Sequence, residues 1–229
     1  MNLSRRSLLA GSATLLATRG ARADGALDDL LARIAKARVP VHTLKGPFTQ
    51  TRTIGLLSTD VRSAGSLALV RPDRLRWDLA PPDEVTFWVG PEGLAYRSLH
   101  GQGRMPAGTA RIAAALQDLH AVLGGDLSRL GERWTLTVVR DDVNGAEIEA
   151  RARKPVASPA PPNLPSNSRS DSRSNSPEPA RTMRFALAPD LVRPTRALLV
   201  EGEHDRTAID FGDLTVNSPV DESTMRPPG

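Results

Sequence analysis

Arg71-Pro72-Asp73-Arg74-Leu75-Arg76-Trp77 decides how this chain reads, because it joins two alternating runs at a corner. Gly65-Ser66-Leu67-Ala68-Leu69-Val70 precedes it, and Pro81-Pro82-Asp83-Glu84 follows. Side chains of an extended strand alternate between two faces. Leu67, Leu69 and Arg71 therefore share one face, and Leu75, Trp77 and Leu79 share a face of the next strand. Val85, Phe87 and Val89 share a face of the strand after that, with Trp88 pointing the other way. Arg71 is out of place on such an apolar face, since a buried guanidinium must be paired or hydrogen-bonded. The unsatisfied carbonyls of a helix end are suitable partners.

Working outward, short alternating segments are expected at about 42–54, 62–71, 74–79, 84–90 and 93–98. Gly55, Gly65, Pro81-Pro82 and Gly90-Pro91-Glu92-Gly93 mark the turns between them. Close spacing without intervening helices argues antiparallel pairing. Before them, Leu27, Leu30, Leu31 and Ile34 lie on one face of a helix that Asp24 can cap and Pro40 ends. After them, Thr109 to Leu123 reads as a second helix. Its apolar stripe is Ile112, Ala115, Leu116, Leu119, Val122 and Leu123, and Gly124-Gly125 stops it. Asp126 to Leu130 fits one more short turn. Strands resume at 134–140 and about 146–152, around an Asn144-Gly145 hairpin turn, and again near 182–188, 194–202 and 206–216.

Residues 155–180 hold seven Pro and seven Ser and no aromatic residue. Such a segment buries too little surface to offset its ordering entropy, so a disordered loop is expected. The remaining C-terminal chain is too short for a second domain, so the loop interrupts one. The expected fold is mainly β with helices, in one domain over 24–229.

The first 23 residues read as an export signal. Ser4-Arg5-Arg6-Ser7-Leu8-Leu9 is a twin-arginine pattern, Leu8 to Ala17 is a short apolar run, and Ala21-Arg22-Ala23 is a small-x-small cleavage site. A Sec signal with a chance arginine pair is the alternative. Either route implies the periplasm, with cleavage after Ala23. Removing Arg5, Arg6, Arg19 and Arg22 from the 30 basic residues leaves 26, against 26 acidic ones. The sequence pI near 10.2 is then no argument for nucleic acid. The absence of cysteine excludes a lipid-anchoring lipobox, Cys nucleophiles and thiolate metal sites. His42, His100, His120 and His204 have no metal-ligand spacing, and His120 is expected at a polar edge of its helix. No GxSxG, SxxK or phosphate-cradling glycine loop is present. We therefore assign no catalytic residue, no metal and no cofactor, and expect a monomer that is not an enzyme.

Three motifs in order resemble the LolA family, the periplasmic carriers of outer-membrane lipoproteins. They are Gly46-Pro47-Phe48-Thr49-Gln50; the block Gly65, Leu67, Arg71, Pro72, Trp77 and Pro82; and a tail from Ile209-Asp210-Phe211 to Asn217 and Pro227-Pro228-Gly229. The resemblance spans the mature chain apart from the 155–180 insert. It implies an incomplete antiparallel β-barrel of roughly ten or eleven strands with a helical lid, LolA/LolB-like. It implies a carrier that takes lipoproteins from an inner-membrane ABC transporter to an outer-membrane receptor, shielding their acyl chains. By the same resemblance Arg71 is the latch that holds the helical lid closed. Leu67, Leu69, Leu75, Trp77, Val85 and Phe87 then form the lipid-binding cavity, with Ile112, Leu116, Leu119 and Leu123 on the lid helix. Twin-arginine export, Leu56-Leu57-Ser58 and the segment Gly124 to Leu130 look more like divergent LolA-like paralogues, whose cargo is a glycolipid or another acylated product. A hydrolase on the same scaffold would need a polar cavity with converging acid and base groups. A structural module would have a filled core.

Overall fold

A computed structural model of the protein describes residues 18–55, 59–105, 111–124, 126–153, 181–202 and 204–227, with side chains from 25 in the first helix and from 115 in the second. The expected export signal as far as residue 17, the expected loop at 155–180 and the Ile112 side chain lie outside the described residues.

Helix α1 (Thr18–Arg38) is followed by β1 (Thr43–Ile54), β2 (Thr59–Val70), β3 (Arg74–Leu79), β4 (Val85–Gly90), β5 (Gly93–Ser98) and β6 (Gly101–Met105). Helices α2 (Arg111–Leu123) and α3 (Leu127–Arg133) come next. Then come β7 (Trp134–Asp142), β8 (Gly145–Ala152), β9 (Thr182–Leu187), β10 (Pro194–Val200), β11 (Arg206–Phe211) and the two-residue β12 (Thr215–Val216). A single 3-10 turn follows at Glu222–Met225. The strands form one antiparallel sheet in the order β6-β5-β4-β3-β2-β1-β11-β10-β9-β8-β7, with β12 on β1. β6 and β7 are its two ends, so the sheet is open, an incomplete barrel. It is mostly β with three helices, in the class that the sequence implies. Among the described residues no helix is long and apolar enough to cross a membrane.

Three elements differ from expectation. β6 is an added strand whose sequence, Gly-Gln-Gly-Arg-Met, has no alternation. It forms because the turn after Ser98 folds it back onto β5 (Ser98↔Gly101 to Leu94↔Met105). The segment expected at 206–216 breaks at Gly212 into β11 and β12, so twelve strands are present among the described residues. Helix α1 is already helical from Thr18, the first described residue, so it runs through Asp24, where a cap was expected.

Alternation sorts the sheet into two faces. On the inner face a cross-strand row runs Leu44–Leu69–Leu75–Val89–Leu94, linked register by register. A second row runs Ile209–Ala197–Phe185–Ile148. These residues form the core with Leu30 and Ile34 of α1, Leu116, Leu119 and Leu123 of α2, and Leu127 and Leu130 of α3. Gly65, opposite Phe48, shows how tightly the inner face packs. A Cβ there would lie 2.1 Å from the Asp78 carbonyl oxygen and 2.6 Å from the Phe48 ring. Its absence lets Phe48 stack on Trp77, with ring centroids 3.7 Å apart and planes at 25°. The C-terminal tail is tied to the α1–β1 corner by Asn217. Its Oδ1 accepts from His42 N–H at 2.7 Å, and its Nδ2 donates to the Pro40 carbonyl at 2.8 Å.

Candidate functional site: an apolar cavity beneath the second helix

A cavity of about 340 Å³ lies between α2 and the inner face of the sheet. Its apolar wall comes from both sides: Trp77, Leu79 and Phe87 from β3 and β4, and Met183, Leu199 and Ile209 from β9 to β11. Ala115, Leu116 and Leu119 of α2 cover it, one turn apart as a helical stripe requires. Gln50, Arg52, Thr53, Glu201, Asp205 and Arg206 line its other end. The polar change follows from β1 itself: its inner face runs Leu44, Phe48, Gln50, Arg52, from buried apolar to exposed cation.

The residues singled out from sequence divide into two groups. Trp77, Phe87, Leu116 and Leu119 line the cavity. Leu67, Leu69, Leu75 and Leu123 do not; they are packed in the core at 2%, 0%, 1% and 1% exposure. The reason is the helix end: a Cβ on Gly124 would come within 2.9 Å of the Leu69 side chain, so the chain after α2 fills this part of the inner face. Val85 is half-buried and outside the lining.

The arginines are arranged as a relay. Arg71 is half-buried just past β2, and its Nη1 donates to the Arg38 carbonyl and, at 3.3 Å, to the Val41 carbonyl. These are carbonyls at and just beyond the end of α1, not on α2. The guanidinium that holds α2 is that of Arg38, which is 2% exposed. It donates to the Val122 carbonyl at 2.6 Å and the Ala121 carbonyl at 3.3 Å, at the C-terminus of α2, where carbonyls lack helical partners. Burial, and then the charge of Arg71, pushes Arg38 down to about 10, with Asp190 opposing. It is still cationic at neutral pH. Arg38 is not among the residues expected from sequence, although a signal is present: it continues the Leu30, Ile34 spacing by one more turn, placing a cation on the buried stripe.

A second polar tie holds α2 from the β7 side. Asp118, 2% exposed, accepts a hydrogen bond from Arg133 at the end of α3. Arg181 lies over the Trp134 ring, 5.7 Å from its centroid, and pairs with Glu201 on the cavity wall at 3.0 Å. Burial raises the Asp118 pKa, and Arg133 only partly opposes it. The native carboxyl thus holds a proton at pH values where the unfolded chain, with an ordinary value near 3.8, has released it. Its contribution to stability is greatest below the unfolded value and declines as pH rises through the folded one. D118N removes this dependence. Urea melts of both proteins at several pH values should show wild type gaining on D118N as pH falls from 7 toward 4; a pH-independent difference would contradict the shift.

His120 is half-buried in α2 rather than at a polar edge, its Nε2 without a partner among the described residues, and burial lowers its pKa. Among the described residues no cluster of three or more His, Asp or Glu is placed to hold a metal ion.

The fold and the site together define a half-barrel whose apolar hollow is closed by a helix. The family model described as outer membrane lipoprotein carrier protein LolA matches residues 40–88, from just past α1 into β4, so this stretch of the chain is similar to that family. No curated protein matches it in sequence. Among solved structures it is similar to a DUF1329 family protein from Desulfovibrio piger, at 8% identity and a TM-score of 0.49, covering 88% of this chain and 96% of that one. It is also similar to a LolA superfamily protein from Nitrosomonas europaea, at 8% identity and a TM-score of 0.42, covering 87% and 96%. A third is the MucA/MucB complex of Pseudomonas aeruginosa, at 16% identity and a TM-score of 0.42, covering 87% of this chain and 60% of that one.

Proposed function

We propose that this protein is a periplasmic carrier that shields the acyl chains of lipoproteins, or of a related acylated lipid, between the inner and outer membranes. The observation that supports this reading is the apolar cavity under α2. Most of its wall is apolar, built from Trp77, Leu79, Phe87, Leu116, Leu119, Met183, Leu199 and Ile209, and its charged groups, Arg52, Glu201, Asp205 and Arg206, are gathered at one end. Its volume of about 340 Å³ is at the lower end of the roughly 300–1,000 Å³ usual for ligand pockets. A cargo with several chains therefore requires α2 to move. Each buried CH₂ contributes about 0.8 kcal/mol, so full burial of several chains would hold cargo too tightly for release. A helix that recloses through Arg38, with Arg71 fixing the end of α1, competes with cargo and lowers its net affinity. An inner-membrane ABC transporter as donor and an outer-membrane receptor as acceptor belong to the same proposal, through the LolA likeness.

The test has two parts. Native mass spectrometry of protein purified from the periplasm should show bound lipid, and an N-palmitoylated peptide should be taken up saturably in vitro. L119D, which puts a charge on the cavity side of α2, should abolish uptake. Absence of lipid together with absence of peptide uptake would end the carrier reading.

A further inference from the structure

A second cavity, of about 350 Å³, lies on the opposite, outer face of the sheet, between the strand end near the β4–β5 turn and the C-terminal segment. Its base is an outward cross-strand row, Trp88–Ala95–Arg104, which Arg76 continues on β3 outside the lining. Met225, 4% exposed, covers it from the 3-10 turn. The turn is fastened to the sheet: Trp88 Nε1 donates to the Thr224 carbonyl at 2.9 Å, and Arg76 Nη1 donates to the same oxygen at 3.2 Å. Asp221 caps the turn by accepting from Ser223 N–H at 2.8 Å. The hollow is therefore built into the fold.

The chemistry of its rim is specific. Arg74, Arg104 and Arg226 border it, as do the carboxylates Asp73 and Glu92. No ion pair joins any of the three arginines to an acid among the described residues, whereas Arg76, Arg184 and Arg196 elsewhere on the same face are each ion-paired. A guanidinium offers a planar fork that fits the oxygens of a carboxylate or phosphate. An apolar base under three open forks fits a molecule with both characters. We infer that this pocket binds an oxyanion carried on a small apolar body, with the body against Trp88 and Met225 and the charge toward Arg74, Arg104 and Arg226. A soluble phosphate ester and the headgroup of an anionic phospholipid share this chemistry. The inference does not depend on what the inner cavity carries.

The test reads the indole N–H signals in ¹H–¹⁵N NMR spectra of the full chain, because Trp88 lies in this pocket and Trp77 in the other. Phenyl phosphate should shift the Trp88 signal saturably, with phenol about tenfold weaker. R104Q and R226Q change exposed side chains, and each should weaken phenyl phosphate about threefold or more, leaving the Trp77 and Trp134 signals in place. If phosphatidylglycerol vesicles perturb Trp88 while phosphatidylcholine vesicles and phenyl phosphate do not, the source is a lipid headgroup and the pocket assignment stands. Equal binding of phenol and phenyl phosphate, a response at Trp77 alone, or no response to either ester or vesicles would overturn it.

Discussion

Replacing Trp77 with alanine is expected to cost about 3–5 kcal/mol of stability, as aromatic truncations in cores do. Trp77 is 2% exposed and stands where four neighbours meet. It stacks on Phe48, meets Phe211 edge-on with centroids 6.4 Å apart, and pairs across strands with Leu67 and Phe87. Its loss separates β1 from β3 and β4 on the inner face. In a protein of this size the melting temperature should fall by on the order of 10 °C. The vacated volume joins the cavity under α2, so a protein that still folds should accept a bulkier acyl probe than wild type. W77F keeps a ring against Phe48 and should recover most of the stability. A loss below about 1 kcal/mol in urea denaturation of W77A would show that the stack does not anchor the inner face.

Replacing Arg38 with methionine is expected to free α2 while leaving the sheet intact. Two carbonyls at the helix end lose a charged donor. At about 1–3 kcal/mol for each buried group left unpaired, local opening becomes easier by about 2–6 kcal/mol, or about 30- to 25,000-fold in exchange rate. Methionine also relieves the burial of a guanidinium whose pKa is held down to about 10, so the global midpoint should move less than the local rates do. Hydrogen exchange by mass spectrometry separates the two. Peptides covering 111–124 should exchange faster, and those covering β8 and β9 should not change. R71M acts on the end of α1 and should mainly affect 36–41. If α2 exchange is unaltered in R38M, the helix is held by Asp118 and its apolar stripe alone.

Strand positions were legible because their signal is local. Leu67, Leu69, Trp77 and Phe87 alternate within their own segments, and period-2 arithmetic assigns their face without knowledge of any neighbour. The helical stripes of α1 and α2 are equally local: Leu116 and Leu119 share a face of α2 by spacing alone, and both line the cavity over the sheet. β6 was not legible, because its pairing energy comes from β5 rather than from its own residues. The division of inner-face leucines between core and cavity was not legible either. Leu69 and Phe87 look alike in sequence, and the chain at Gly124, more than fifty positions from Leu69, fills the space above one and not the other.

The sequence by itself determined an antiparallel sheet with amphipathic helices beside it, an apolar inner face, and an arginine at its edge that needed partners, for which helix-end carbonyls were suitable. Only the tertiary structure decided which carbonyls. Arg71 reaches back 33 residues to the end of α1, and Arg38 reaches forward 83 and 84 residues to α2. The physical reason is range. Alternation and helical periodicity act over two to four positions, whereas the partner of a buried charge is whichever unsatisfied group the fold brings within about 3 Å. No spacing rule along the chain encodes that distance.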